Sequence, residues 1–279
     1  MPAALSGLEK RWDLTWGTLI QRGSMSVVIR CRAAGGRSAV LKVSPDRTRL
    51  AHEAAALKSW RTGHVPAVLA VDESVGALLI EAIEPGTPLV ESKDYPTTES
   101  LVALMMSLHK DVAPDSSFRP VSDRIAYLFD SGTKNYERKP ELVELISPEL
   151  YAQGRQLALR LAADPTGLVP LHGDLTPVNV LDGGGKRGLV AIDPAPCLGD
   201  PAFDAIDLVL WRAEDVGTVI ARAEQLAPAI DADAGRLLDW CTAFAGMTAL
   251  EIAEAPSGSL EQLDPLVALA WRVQGSSRR

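Results

Sequence analysis

Residues 171–179 read Leu-His-Gly-Asp-Leu-Thr-Pro-Val-Asn, and Asp193, in Ile192-Asp193-Pro194, follows Asn179 by fourteen positions. A short apolar run, residues 168–171, leads into the first segment, and the β-prone run 188–192 leads into Asp193. The pattern therefore predicts two strands that deliver their carboxylates to adjoining loops. Such loops can bring Asp174, Asn179 and Asp193 to one point. Transfer of the terminal phosphoryl group of a nucleotide needs a set of this kind: one carboxylate to receive a hydroxyl proton, then an amide and a second carboxylate to hold magnesium. Magnesium prefers oxygen ligands and keeps waters and substrate phosphate oxygens, so one amide and one carboxylate from the protein suffice. Any one of these residues alone is readily explained as a turn cap or a strand end; the ordered set is not. His172 has no evident proton to move and is expected to pack and hydrogen-bond the backbone around Asp174.

Three segments carry a family resemblance. Leu171-His-Gly-Asp-Leu-Thr-Pro-Val-Asn-Val-Leu181, Ala191-Ile-Asp-Pro194 and Gly199-Asp-Pro-Ala-Phe-Asp204 resemble the aminoglycoside phosphotransferase family, in its branch of streptomycin and hydroxyurea kinases, from about Thr15 to about Trp271. The resemblance implies an α+β, two-lobed protein-kinase-like fold, with a small β-rich N-terminal lobe and a larger, mainly helical C-terminal lobe. It also implies ATP and magnesium in the cleft, with GTP an open alternative to ATP. Asp204 resembles the family's structural Asp that braces the catalytic loop.

The first part of the chain agrees with that expectation. Residues 14–21, 27–32 and 38–43 are β-rich and separated by turn residues at 22–24 and 34–36, which predicts a three-stranded meander. Lys42 lies among apolar neighbours, where an ammonium is costly to bury unless an anion meets it, so it either reaches solvent or holds nucleotide phosphates. Glu53 sits in a helix-prone segment, residues 49–60, and a strand lysine paired with a helix glutamate is how kinases aim the ammonium. The phosphate-covering loop should lie at residues 22–26. It has one glycine where protein kinases have three, leaving backbone amides and the hydroxyls of Ser24 and Ser26 to face the phosphates. Residues 67–72 and 77–83 predict two further strands, followed by a connector at residues 84–88. In similar enzymes the connector backbone meets the adenine edge, which points to the main chain of Glu81 and Ile83. Prolines at 85, 88 and 96 place the lobe boundary here, giving an N-terminal nucleotide-binding lobe, residues 1–84, and a C-terminal catalytic and acceptor-binding lobe, residues 85–279.

With 279 residues, 47% of them apolar, the chain can bury one large or two modest cores. No apolar run is long enough to span a bilayer and no basic-then-apolar leader is evident, so neither a membrane nor Sec-type export is expected. Three cysteines without metal spacing suit reduced thiols and a cytoplasmic location. A monomer is the favoured state.

Charge bears on the second substrate. Residues 199–254 hold eleven Asp and Glu against three Arg, an excess that equals the net charge of the whole chain, −8. Such a surface repels nucleic acid and attracts a cationic small molecule, for example an aminoglycoside or a basic cyclic peptide. A solvated acidic helix face is the plainer alternative. If a cationic acceptor docks here, Asp207, Glu214, Asp215, Glu251 and Glu254 are the candidate carboxylates. The indoles of Trp211, Trp240 and Trp271 are candidate cation–π partners. Kinases of uncharged or metabolic acceptors such as hydroxyurea, an amino sugar, choline or homoserine share the same apparatus. A catalytically silent binding module is a further alternative. A protein substrate is disfavoured, because Thr176 stands where protein kinases carry a lysine and Gly199-Asp200-Pro201 replaces their Ala-Pro-Glu anchor.

Overall fold

The protein is described from a computed structural model, which covers residues 2–20, 26–110, 118–164, 167–255 and 263–276. In chain order the elements are α1 (Pro2–Trp12), β1 (Thr15–Ile20), β2 (Val27–Ala33), β3 (Arg37–Val43), α2 (Arg47–Ser59), β4 (Val68–Asp72), β5 (Ala77–Glu81), α3 (Thr98–His109), β6 (Arg119–Pro120), α4 (Val121–Gly132), α5 (Lys134–Arg138) and α6 (Pro148–Ala163). They continue with β7 (Val169–Leu171), β8 (Val180–Asp182), β9 (Leu189–Ala191), β10 (Cys197–Gly199), α7 (Ala202–Leu210), α8 (Val216–Leu226), α9 (Ala234–Glu254), α10 (Leu263–Ala270) and α11 (Val273–Ser276). Contacts divide the chain into two units, Met1–Ser92 with Val178–Pro196, and Lys93–Pro177 with Cys197–Arg279.

The first unit is built on an antiparallel sheet of order β1-β2-β3-β5-β4. Side chains alternate across a strand, so Ala39, Leu41 and Val43 of β3 share one face. They pack with Cys31, Ala77, Leu79, Leu14 and, from α1, Leu8. Lys42 points to the opposite face, where α2 supplies Glu53. Asp46 starts α2 by accepting a hydrogen bond from the Arg49 amide at 3.0 Å, an N-cap that satisfies one of the helix's unpaired donors. The expected meander, helix and two later strands are present, whereas α1 had no counterpart in the expectations. The expected turn at 22–24, and Ser24 with it, lies outside the described residues.

The β8–β9 hairpin belongs to the same unit. Its glycine turn is closed by the Gly183 amide on the Gly188 carbonyl at 2.8 Å, and Gly184 and Gly188 adopt φ of 81° and 70°, which favours glycine. Arg187 then bonds the carbonyls of Gly63 and Val65 and both oxygens of Glu81. The Ala191 amide bonds the His64 carbonyl, and Asp182 exchanges backbone hydrogen bonds with Gly86 and Thr87. The unit thus takes in residues 85–92 and 178–196 besides the first 84.

The second unit is helical around α9, which packs on α6, α7, α8 and α10. Leu237, Trp240, Cys241, Phe244, Met247 and Leu250 of α9 are buried, as befits a helix enclosed by others. At Gly154 of α6 a Cβ would stand 2.6 Å from the Ala243 carbonyl oxygen, so glycine is what lets α6 and α9 approach. A small sheet of order β6-β10-β7 carries the chain into and away from the His172–Asp174 loop. The three cysteines are buried free thiols. Among the described residues no helix is long and apolar enough to cross a membrane.

Candidate active site

Within the first unit, the Lys42 ammonium is buried at 7% exposure and donates to both Glu53 carboxylate oxygens and to Asp193 Oδ1, each at 2.8 Å. Burial, the largest influence, disfavours the charged ammonium, but the carboxylates of Asp193 and Glu53 outweigh it and hold the Lys42 pKa above its ordinary value. Of the two sequence alternatives for Lys42, reaching solvent is the one the structure removes. The β8–β9 hairpin brings Asn179 and Asp193 to a common end: Val180 pairs with Ala191, and just beyond that pair the Ile192 amide bonds the Asn179 carbonyl at 2.8 Å. Asp193 takes a left-handed backbone, φ 58°, a conformation that Asp tolerates better than most side chains. Its carboxylate stays 39% exposed while it holds Lys42.

A neutral amide oxygen and a partly exposed carboxylate form a hard-oxygen donor set that fits magnesium, provided water and phosphate oxygens complete the shell. Among the described residues no group of three or more His, Cys, Asp or Glu side chains is placed to hold a metal. Of the residues expected to meet the nucleotide, Ser24 lies outside the described residues and Ser26 is half-buried just ahead of β2. Glu81 ends β5 with its carboxylate on Arg187 and the Ala67 amide, and its own amide bonds the Ala67 carbonyl. Ile83 is buried.

Within the second unit, the loop carrying Asp174 hangs on Asp204. The buried Asp204 carboxylate accepts from the His172 amide at 2.7 Å and the Gly173 amide at 2.8 Å, and His109 Nε2 lies 2.9 Å from it. Burial opposes ionisation of Asp204. The hydrogen bond from His109 and that from the Gly173 amide overcome that and hold its pKa below the usual carboxylate range. His172 is fully buried, and its Nδ1 accepts from the Asp174 amide at 3.3 Å, so it shapes the loop as expected.

Asp174 itself is bound by Arg124 of α4. The Arg124 Nη2 donates to Asp174 Oδ1 and the Nε to the Gly173 carbonyl, both at 2.8 Å. Asp207 and Glu251 lie within electrostatic reach of Asp174, of Arg124 and of each other. Burial, then the charges of Glu251 and Asp174, pushes the half-buried Asp207 up to about 7. Glu251 keeps surface open to water, but the protein around its carboxyl, followed by the charges of Asp174 and Glu254, pushes it up to about 7 as well. Glu254 sits one turn on and pairs with Arg138 at 2.7 Å.

The remaining acidic candidates are engaged in other ways. Asp215 caps α8 through the Thr218 amide and hydroxyl, and Glu214 is exposed beside Arg222. Asp200 and Asp233 are likewise spent, the first on Arg236, Trp240 and the Ala202 amide, the second on capping α9. Of the candidate carboxylates, Asp207 and Glu251 lie within electrostatic reach of Asp174, with Glu254 beside Glu251. Trp211 stacks on Tyr95 at 5.9 Å between centroids, and the Arg212 guanidinium lies 4.6 Å from the Trp211 ring centre. Trp240 is fully buried against Phe203 and Phe244, which corrects its candidacy as a ligand contact; Trp271 is 52% exposed. Two residues of this region, Arg124 and His109, had no sequence signal. Each meets its carboxylate partner across fifty positions or more and belongs to no local motif.

Comparison with known proteins gives consistent matches. A family model described as aminoglycoside/hydroxyurea antibiotic resistance kinase matches residues 11–255. The chain is 28% identical over 255 residues to a streptomycin 6-kinase of Streptomyces griseus, covering 87% of this chain and 80% of that one. It is 26% identical over 244 residues to a hydroxyurea phosphotransferase of Kitasatospora aureofaciens, covering 86% and 69%. Among solved structures, a choline kinase from Streptococcus pneumoniae superposes with a TM-score of 0.63 at 13% identity, covering 99% of this chain and 98% of that one. The fold is thus the expected α+β, protein-kinase-like one, with a strand-rich unit and a helix-rich unit.

Proposed function

This chain belongs to the aminoglycoside/hydroxyurea antibiotic resistance kinase family, and from that premise we propose that it transfers the terminal phosphoryl group of ATP to a hydroxyl of a cationic antibiotic. The acceptor class is an aminoglycoside or a basic cyclic peptide such as capreomycin or viomycin. Lys42, held by Glu53 and Asp193, is offered to the nucleotide phosphates, with Ser24, Ser26 and the main chain at Glu81 and Ile83 as further nucleotide contacts. Magnesium, when bound by Asn179 and Asp193, supplies neutralisation of charge on phosphate oxygens. Asp174 orients the acceptor hydroxyl and takes its proton as the new O–P bond forms. Most of the rate comes from positioning and charge stabilisation, because a loose transition state needs little covalent help.

One observation carries the choice of acceptor. Asp207 and Glu251 share the surroundings of Asp174 with the guanidinium of Arg124, and Glu254 adds a further carboxylate beside Glu251. A cationic acceptor relieves that mutual repulsion, whereas a phosphorylated or carboxylated one adds to it. Trp211, Glu214 and Asp215 stay secondary candidates for contact with the acceptor.

A second reading is an uncharged acceptor such as hydroxyurea. It is favoured by the pKa of about 7 at both Asp207 and Glu251, which leaves each partly neutral near pH 7. A coupled ADP-release screen across aminoglycosides, viomycin, capreomycin, hydroxyurea and amino sugars separates the two. Turnover on a basic antibiotic is expected, and strong turnover on uncharged acceptors alone would overturn the first reading.

A further inference from the structure

We infer that Arg124 is the positioning residue for the base, fixing the Asp174 carboxylate through a fork that spans Asp174 and the carbonyl of Gly173. The inference rests on the phosphotransfer reading. Arg124 stands fifty residues before Asp174 and on a separate element, α4. Its Nη2 and Nε reach Asp174 Oδ1 and the Gly173 oxygen, each at 2.8 Å. Two donors of one planar group on acceptors of adjacent residues fix where Asp174 Oδ1 sits relative to the loop backbone, which a single ammonium does less well. The Arg124 side chain is 16% exposed and its guanidinium lies 5.5 Å from the Tyr127 ring centre, so its stem and head are both held.

The charge setting gives the fork a second effect. Arg124 opposes the repulsion among Asp174, Asp207 and Glu251, and it lowers the proton affinity of both Asp207 and Glu251. Protein kinases place a lysine two residues beyond the base; Thr176 stands there in this chain, and Arg124 brings a cation to the base from another element. During transfer the acceptor O–H bond breaks, its proton passes to Asp174, the new O–P bond forms and the bond to the nucleoside diphosphate breaks. Arg124 keeps Asp174 aimed until the proton arrives, and takes no proton itself, since guanidinium stays charged.

The test compares wild type, Arg124→Lys and Arg124→Met by steady-state ADP release across pH 6 to 9, with binding of a fluorescent ATP analogue and thermal melting alongside. Arg124→Met is expected to lower kcat by about a hundredfold, to leave analogue binding within about twofold, and to move the acid limb of the kcat/KM profile to higher pH. Arg124→Lys restores charge without the fork and is expected to recover part of kcat and most of the profile. A purely structural role predicts a lower melting temperature with an unmoved pH profile in the folded fraction, and that result would overturn the inference. So would wild-type kcat and profile in both variants. Should Arg124→Met not fold, the lysine variant alone decides, by the same split between kcat and the pH limb. A wild-type enzyme that releases no ADP with any acceptor would instead remove the phosphotransfer reading, and Arg124's role with it.

Discussion

Replacing Lys42 with Met removes one cation and leaves two carboxylates facing each other. The Glu53 side chain is 3% exposed and lies 2.8 Å from the ammonium, so its carboxylate stays buried while losing the donor that holds both its oxygens. Removing one member of a buried ion pair costs about 3–5 kcal/mol. Asp193, at 39% exposed, is screened by solvent and adds little. For a chain of this size the loss corresponds to a melting temperature lower by on the order of 10 °C. Glu53→Gln added to Lys42→Met takes away the stranded charge and should recover most of the stability, while turnover stays lost in both variants. The sign with pH follows from the same cause. Proton uptake by Glu53 relieves the single variant, so its deficit should shrink as pH falls, and the double variant should show no such trend. Differential scanning calorimetry between pH 5 and 8, with ADP release measured in parallel, makes the comparison. A Lys42→Met protein that melts with the wild type, or a deficit that the second substitution leaves untouched, would refute the reasoning.

Three further outcomes are expected. Asp207 and Glu251, each pushed up to about 7, lose their charge as pH falls through that value. The KM of a cationic acceptor should therefore rise by about tenfold from pH 8 to pH 6 if one of them binds it, and more if both do. An uncharged acceptor should show no such change, and Asp207→Asn with Glu251→Gln should flatten the dependence. Asp204→Ala leaves the amides of His172 and Gly173 and the His109 ring without their shared acceptor; a loss of about 3 kcal/mol or more in urea unfolding, with turnover reduced, is expected. Gly154→Ala forces a Cβ to within 2.6 Å of the Ala243 carbonyl and should cost about 1–3 kcal/mol in the same assay, against a gain if α6 had room.

Much of this was legible in sequence where chemistry is local. β3, α2, β4 and β5 follow from short-range alternation and turn residues. The glycine run at residues 183–185 announces the β8–β9 hairpin that sets Asn179 beside Asp193. What could not be read depends on distant partners. Arg187 ties that hairpin to Gly63, Val65 and Glu81 across more than a hundred residues, and such distant bonds put residues 178–196 in the first unit. Arg124 and His109 act on the Asp174 loop from α4 and α3 and carry no motif of their own. The acidic stretch could not be divided from sequence for a related reason. A formal charge count does not distinguish a carboxylate spent on a helix cap, as at Asp215 and Asp233, from one gathered near Asp174.

The assignment of Asp174 as the base is tested most directly by magnesium-dependent ADP release from Asp174→Asn beside the wild type, with a basic antibiotic as acceptor and nucleotide affinity measured on both proteins. The expected result is turnover lower by roughly two to four decades with nucleotide affinity nearly unchanged. Wild-type turnover in the Asn variant would contradict it.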